Sequence, residues 1–173
     1  MRAVLLGLGI LTAVVGAVMA LAQIHLKRML AFVTMSHMGI YLIGVGLLTP
    51  LGLAGASLLV IGDGLAKSAL FLGVGVVQHQ RASVSEIKLR GRGRGLAVTG
   101  VTIMLGALVL ADLPPYVSSA GHALLVKAAE QAGLPWLEIV IALSVSLSSG
   151  AVLRAAGRIW LGWGTSQSPR PDT

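Results

Sequence analysis

About five apolar stretches, each long enough to cross a lipid bilayer, constrain the fold of this chain more than any other feature. A transmembrane helix needs roughly 20 consecutive apolar residues, and lipid cannot hydrogen-bond an open backbone. The predicted fold class is therefore all-α, a polytopic integral membrane protein with about five transmembrane helices. The predicted crossings are residues 3–23, 29–48, 51–77, 96–113 and 136–160.

The composition leaves little chain for an extramembrane domain, because 55% of the residues are hydrophobic and only 11% are charged. We predict a single transmembrane helical domain over residues 1–163, followed by a disordered polar tail over residues 164–173.

The basic residues gather on one predicted side of the membrane, and only Arg2 and Lys127 fall on the other. The positive-inside rule makes the basic side cytoplasmic. We therefore predict a multi-pass protein of the inner (plasma) membrane, with its amino terminus outside and its carboxyl terminus in the cytoplasm. The rule also explains the net charge of +7, so the predicted partner is the lipid bilayer and no nucleic acid. The residues on the basic side are Lys27, Arg28, Arg81, Lys88, Arg90, Arg92, Arg94, Arg154, Arg158 and Arg170.

The longest basic loop, residues 78–95, alternates arginine with glycine near its end. This pattern is typical of a flexible cytoplasmic connection that lies against anionic lipid headgroups.

The fourth crossing is predicted to break at Pro114 and Pro115, because proline lacks an amide donor and clashes with the preceding turn. Two interpretations stay open. The break lies inside the bilayer, where transporters use such breaks to build ion sites, or the helix ends at the surface and an interfacial helix follows.

Asp63 and Lys67 are the clearest functional candidates, because a charged side chain at the bilayer centre costs at least about 2.5 kcal/mol. Four residues apart on one helix, they share a face and can offset each other's burial. The pair either relays protons by exchanging partners or forms a static ion pair that fixes the helix register.

On the second crossing Lys27, Thr34 and Tyr41 recur every seven residues, with His37 about one turn from the latter two. Since histidine titrates near neutral pH, this polar stripe could pass protons along one face, and His37 and Lys27 are candidates. Snorkelling to the headgroups is the alternative for Lys27. His122, after the predicted break, is a further proton-transfer candidate.

The sequence predicts no cofactor, metal site or catalytic residue. The four histidines lie on different segments, cysteine is absent, and no nucleotide-binding or nucleophile motif occurs in a suitable context.

Three stretches resemble the antiporter-like membrane subunits shared by respiratory complex I, Mrp-type Na⁺/H⁺ antiporters and membrane-bound hydrogenases. The first is similar to the family's LTxLxGxxxAL helix followed by DLKRLLAYSTISQLG, the second to NHALxKALLFLxAG, and the third to SLAGLPPFSGFxGKxLLLxAA. In this chain they read GLGILTAVVGAVMALAQIHLKRMLAFVTMSHMGIYLIGVGL, IGDGLAKSALFLGVGVV and ALVLADLPPYVSSAGHALLVKAA.

The resemblance implies two inverted repeats of five helices, each with one broken helix, of which this chain resembles the second alone. Lys27 and Lys67 match lysines that pass protons in the family, and His37 stands beside them. Four positions depart from the family. His25 replaces an acidic residue, Asp63 a histidine, Asp112 a glycine and His122 the lysine of the broken helix.

The predicted function is a membrane subunit that conducts protons, or exchanges Na⁺ for H⁺, within a complex I-like, Mrp-like or hydrogenase-type assembly. The chain would not be catalytic by itself but a subunit of an NADH:quinone oxidoreductase-like or hydrogenase complex. Its partners would be other membrane subunits, among them a chain that supplies the first repeat. The alternatives are a non-transporting structural subunit of such a complex, a free-standing oligomeric channel and a truncated remnant.

Overall fold

Helices make up most of the computed structural model, which describes residues 1–114 and 116–163 except for the side chain of Arg94. Pro115 and the predicted tail, residues 164–173, lie outside these residues. The predicted all-α fold class is confirmed. The helices are α1 (Arg2–Ala22), α2 (Leu26–Gly46), α3 (Pro50–Arg81), a 3₁₀ turn (Arg92–Gly95), α4 (Ala97–Leu110), α5 (Val117–Gln131), α6 (Leu137–Ala156) and a π-helical turn (Gly157–Leu161).

Within the described part of the chain, four helical segments are long and apolar enough to cross a membrane. They are α1, α2, α3, and α6 together with the π-helical turn, and α4 is a shorter apolar helix. At 1.5 Å per residue, the 32 residues of α3 extend about 48 Å, which exceeds a hydrocarbon core of about 30 Å. One end of α3 therefore projects from the membrane.

Glycine lets α1 and α2 approach closely. A Cβ atom added at Gly39 of α2 would collide with the backbone of Ala13 on α1, and one added at Gly9 would lie 2.9 Å from the carbonyl oxygen of Gly39. The buried Ser36 hydroxyl donates to the carbonyl oxygen of Ala13 at 2.8 Å. Small residues of this kind drive association of membrane helices because backbones can then pack directly.

Helices α4 and α5 lie one after the other along α3. Gly73 and Leu70 of α3 approach α4 at Ile103 and Gly106, whereas earlier residues of α3 approach α5. A Cβ atom at Gly62 would lie 3.1 Å from the Ser118 amide nitrogen, and one at Gly55 would lie 2.9 Å from the Gly121 carbonyl oxygen. The break between α4 and α5 therefore lies beside the middle of α3, which favours the interpretation that it is inside the bilayer.

The α4 helix ends at Leu110, three residues before the predicted end of its apolar stretch. Asp112 takes a left-handed backbone conformation with φ of 53°, which ends the helix before Pro114. Aspartate tolerates this conformation better than most residues because its side chain is short and polar. The carbonyl oxygen of Val109 accepts from the Asp112 amide at 3.1 Å and from the Ser118 hydroxyl at 2.9 Å, so this carbonyl at the end of α4 is fully paired.

Two apolar clusters fill the interior, with a layer of polar side chains between them. The cluster at the basic end includes Leu30, Leu70 and Ile103. The cluster at the opposite end includes Ile40, Leu59, Leu125 and Ile141. On α3 the layer therefore lies between Leu59 and Leu70.

The basic linker is packed against the helices, which differs from the flexible connection that its arginine–glycine alternation predicts. Glu86 is buried, and Arg158 donates to its Oε1 at 2.5 Å. Arg154 lies 3.6 Å from the same oxygen and donates to the carbonyl oxygens of Leu21 and Gln23 after α1. A buried carboxylate needs such partners, so Glu86 holds the linker, the α1–α2 turn and α6 together.

Gly39→Ala is expected to destabilise the fold by about 1–3 kcal/mol, because the added methyl group must push α1 away from α2. Gly150→Ala is the matched control, since nothing lies within 4 Å of a Cβ atom at that helical position. The control is expected to be neutral or to stabilise the helix by up to about 1 kcal/mol. Thermal unfolding in detergent measures both, and equal midpoints for the two variants would contradict the packing.

Candidate functional site

The candidate site is centred on the carboxylate of Asp63, where three polar groups meet on one oxygen atom. The Nδ1 atom of His37 is hydrogen-bonded to Asp63 Oδ2. The hydroxyl of Tyr41 donates to the same oxygen at 2.5 Å, and the ammonium of Lys67 lies 3.4 Å from it. Lys67 also donates to the Tyr41 hydroxyl at 3.1 Å, which closes the cluster.

Helical geometry places these four residues. Asp63 and Lys67 are four residues apart on α3, and His37 and Tyr41 are four residues apart on α2, so each pair occupies one helix face. The two faces meet because α2 packs against α3, with Gly44 of α2 close enough that a Cβ atom there would lie 2.9 Å from that of Ala56.

The cluster is withdrawn from solvent and lipid. The exposed fractions of the side chains are 1% for Asp63, 3% for His37 and 11% for Lys67. Breaking such a buried pair by removing one partner typically costs about 3–5 kcal/mol, because a charge is left uncompensated. The attraction between these charges therefore holds the site together. A change of protonation at one group must alter the electrostatic energy of the others.

Serine residues extend the polar layer toward α6. The Ser148 hydroxyl lies 3.2 Å from that of Ser36 and also within hydrogen-bonding distance of the carbonyl oxygen of Ser144, to either of which its one hydrogen can be donated. Ser36 and Ser148 are both fully buried. These hydroxyls link α2 to α6 next to the cluster, because Ser36 directly precedes His37 in the chain.

A second carboxylate–imidazole pair lies at the break. The Nδ1 atom of His122 on α5 is 3.1 Å from Oδ2 of Asp112, and the Asp112 side chain is only 6% exposed. The two pairs lie on packed helices, since a Cβ atom at Gly62, next to Asp63, would lie 3.1 Å from the amide nitrogen of Ser118, one turn before His122. Asp112 makes its contact with His122 from a turn in which its backbone is left-handed, with φ of 53°.

The structure brings together Asp63, Lys67 and His37, and it places His122 in the neighbouring pair at the break. Lys27 is exposed on the first turn of α2, about 15 Å along the helix from His37 at 1.5 Å per residue. Pro114 lies in the turn between α4 and α5, as the predicted break requires.

Two members of the site were not among the predicted proton-transfer residues. Tyr41 belongs to the sequence stripe that contains His37, and this spacing was the signal that could have identified it. Asp112 could have been identified from its place next to a prolyl break, where an acidic residue inside an apolar segment needs a cation or a proton.

The arrangement is suited to moving or storing a proton, and it offers no preformed metal cage. Among the described residues, no group of three or more histidine, cysteine, aspartate or glutamate side chains could hold a metal ion. The site instead contains two carboxylates, two imidazoles, a phenol and one ammonium within hydrogen-bonding or electrostatic range.

The amino-acid sequence matches a known protein family. The family model described as NADH:quinone oxidoreductase/Mrp antiporter, transmembrane, matches residues 1–148. This chain belongs to that family. The resemblance seen in the three sequence stretches is thereby confirmed, and the chain is a multi-pass membrane protein.

The relatives are much longer than this chain. It is 35% identical to formate hydrogenlyase subunit 3 of Escherichia coli K12 over 129 residues, which are 68% of this chain and 21% of the relative. It is 39% identical to NAD(P)H-quinone oxidoreductase chain 4 2 of Synechococcus sp. JA-3-3Ab over 110 residues, which are 64% of this chain and 20% of the relative. The chain thus spans about a fifth of the length of these curated relatives.

Two solved assemblies contain chains of the same fold. A chain of respiratory complex I from Thermus thermophilus matches 96% of this chain with a TM-score of 0.85 and 29% identity, and 35% of that chain is covered. A chain of the Mrp complex from Dietzia sp. DQ12-45-1b matches 98% of this chain with a TM-score of 0.85 and 24% identity, and 32% of that chain is covered. The second likeness shows the fold alone.

Asp63→Asn is expected to destabilise the fold by about 3–5 kcal/mol, because it leaves the Lys67 ammonium buried without its carboxylate. Adding Lys67→Met removes the stranded charge, and the double variant is expected to regain most of the loss. Unfolding in mixed detergent micelles measures the two effects. A double variant that is no more stable than Asp63→Asn would show that the two charges are not coupled.

Proposed function

We propose that this chain is a proton-conducting membrane subunit of a complex I-like, Mrp-like or hydrogenase-type assembly. Exchange of Na⁺ for H⁺ is the alternative transport activity of the same site. The observation that carries the proposal is the buried cluster of Asp63, His37, Tyr41 and Lys67 beside a broken helix. Ionisable groups at the middle of a membrane are costly, and proton or ion pathways are the function that most often retains them.

The pathway that the geometry supports runs across the polar layer. His37 and Lys67 share the carboxylate of Asp63, so a proton that leaves one of them finds an acceptor within hydrogen-bonding distance. From Lys67 the next titratable groups are Asp112 and His122 at the break. Lys27 is exposed at the basic end of α2 and is not part of the buried cluster. Its role in the pathway would be to attract or release ions at that surface.

A non-transporting structural subunit is the second candidate, and a specific observation favours it. Three donors converge on Oδ2 of Asp63, and a carboxylate so fully engaged can act as a static clamp between α2 and α3. The two candidates differ on one point, which is whether Lys67 must release its proton.

The partners would be other membrane subunits, including a chain that supplies the first repeat. The aligned 129 residues are 21% of formate hydrogenlyase subunit 3, so that relative is more than three times as long as this chain and has room for a further repeat. Redox chemistry would then be performed by other subunits, and this chain would act on protons in the inner (plasma) membrane without catalysing a reaction itself.

Lys67→Arg separates conduction from structural support. Arginine keeps the positive charge beside Asp63, but it does not release its proton in proteins. If the chain conducts protons through Lys67, the variant is expected to assemble normally and to lose at least about tenfold of its proton uptake. The measurement is proton uptake into vesicles that contain the assembly purified with this chain, followed with a pH-sensitive dye.

The matched control is Lys127→Arg, because Lys127 is exposed on α5 and makes no described contact with the cluster. Its proton uptake is expected to equal that of the unmodified chain. Normal uptake by Lys67→Arg would reject the relay and leave the structural clamp as the function of the pair.

The proposed orientation places the basic end in the cytoplasm and Arg2 outside. The chain contains no cysteine, so single cysteines report on sidedness without background. Lys88→Cys on the basic linker and Glu130→Cys near the end of α5 are both exposed positions. In intact cells a membrane-impermeant maleimide is expected to label Glu130→Cys and not Lys88→Cys, and the reverse pattern would invert the proposed topology.

A further inference from the structure

A groove of about 490 Å³ lies between the start of α1 and the turn from α5 to α6, at the end of the bundle opposite the basic linker. One face of α1 forms its first wall, and Leu134 and Trp136 of the α5–α6 turn form the second. The lining residues from α1 are Arg2, Ala3, Leu6, Gly7 and Ile10. Arg2 is the charged member of this otherwise apolar lining, and we call the site the Arg2 groove.

The shape of the Arg2 groove suits an extended alkyl chain. It follows α1 from Arg2 to Ile10, about 12 Å at 1.5 Å per residue, and α1 is long and apolar enough to cross a membrane. Gly7 keeps the groove open, since this residue is exposed and nothing lies within 4 Å of a Cβ atom added there. The groove therefore runs from the membrane surface toward the hydrocarbon core, which is the direction in which lipid chains lie.

Arg2 keeps most of its hydrogen-bonding capacity free. Its Nη2 atom donates to the carbonyl oxygen of Ala132, just after the end of α5, at 3.3 Å. Its Nε atom is buried and has no hydrogen-bond partner among the residues that the structure describes. A guanidinium offers five N–H donors in a planar fork that matches the oxygens of a phosphate. Capping α5 therefore uses one donor and leaves the others for a ligand.

The positive charge of Arg2 also lacks a counter-ion. Within the described part of the chain, Arg2 takes part in no ion pair. The carboxylates at this end of the bundle, Glu130 and Glu138, are both exposed. A partly buried cation beside an apolar groove favours an anion, and the apolar walls favour one that carries an alkyl chain.

Trp136 marks the depth of the headgroup. It directly precedes α6 and is 48% exposed. Tryptophan is enriched where membrane and water meet, because its ring is apolar and its N–H group is polar. Arg2 lies at the same membrane boundary, since α1 and the segment that begins with α6 both enter the membrane at this end of the bundle. A phosphate bound to Arg2 would therefore lie at the level of the other lipid headgroups.

We propose that the Arg2 groove binds one anionic phospholipid, whose phosphate pairs with the guanidinium of Arg2 and one of whose acyl chains lies along α1 as far as Ile10. The bound lipid fastens α1 to the α5–α6 turn, the two elements that Arg2 already joins. The proposal goes beyond proton conduction and does not depend on it, because lipid occupancy is measured without any transport.

The test is photocrosslinking in the full chain, purified with the subunits that accompany it and placed in phosphatidylcholine nanodiscs. The probe is a trace of lipid with a diazirine in its acyl chain and a phosphatidylglycerol or a phosphatidylcholine headgroup. Mass spectrometry measures the label on residues 3–10 and 134–136. Leu53 and Val60, which are exposed at the same end of α3, report on ordinary boundary lipid. The phosphatidylglycerol probe is expected to label the groove about fivefold more than the phosphatidylcholine probe, as for one basic residue at an anionic headgroup.

Two variants separate the headgroup from the chain. Arg2→Gln removes the charge and is expected to lower labelling by the phosphatidylglycerol probe to the level of the phosphatidylcholine probe. Gly7→Leu fills the groove without displacing a neighbour and is expected to lower labelling by both probes to the level of the α3 reference. Gly64→Leu is the matched control, since Gly64 is also an exposed helical glycine with nothing within 4 Å of an added Cβ atom. Its groove labelling is expected to equal that of the unmodified chain.

Equal labelling by the two probes, unchanged in Arg2→Gln, would mean that the groove holds only ordinary boundary lipid and would overturn the proposal. Labelling that persists in Gly7→Leu would place the acyl chain elsewhere, with the same consequence. Loss of the phosphatidylglycerol label in an excess of inorganic phosphate would assign Arg2 to free phosphate instead. An unlabelled groove in the purified assembly would show that another subunit covers it, which also rejects the lipid site.

Discussion

The interior of a bilayer contains no water, and the whole structure depends on this constraint. Each polar group below the headgroups must find its partner inside the protein. The carboxylate of Asp63 therefore collects His37, Tyr41 and Lys67, and these contacts join α2 to α3 at the level where the fourth crossing breaks. At the break, the carbonyl of Val109 likewise accepts from the Asp112 amide and the Ser118 hydroxyl. Helix packing and site chemistry are thus consequences of one requirement.

The features that the sequence predicted correctly are those set by local periodicity. Apolar stretches of about 20 residues can only be membrane helices, and Asp63 and Lys67 share a face by their spacing alone. The contact between His37 and Asp63 joins two different helices. Its prediction requires the register of α2 against α3, which depends on glycine contacts such as Gly44 with Ala56 and is not encoded in either segment alone.

Two features escaped prediction for physical reasons that differ. The basic linker has the composition of a mobile loop, but a single buried residue, Glu86, decides its conformation through Arg154 and Arg158. Asp112 lies in a turn, and neither its left-handed backbone nor its contact with His122 is revealed by composition. In both cases the contacts of one acidic side chain, and not the composition of the segment, determine the local structure.

The Glu86 clamp also limits where the protein can move. It ties the α1–α2 turn, the linker and the end of α6 into one unit, so the basic end of the bundle is a rigid base. The α4–α5 turn lies at the far end of α4 from this unit, and it is held by the Ser118–Val109 hydrogen bond and the His122–Asp112 pair. A rearrangement at that turn should therefore leave the basic end of the bundle unchanged, so the basic end serves as the fixed reference for the rest of the fold.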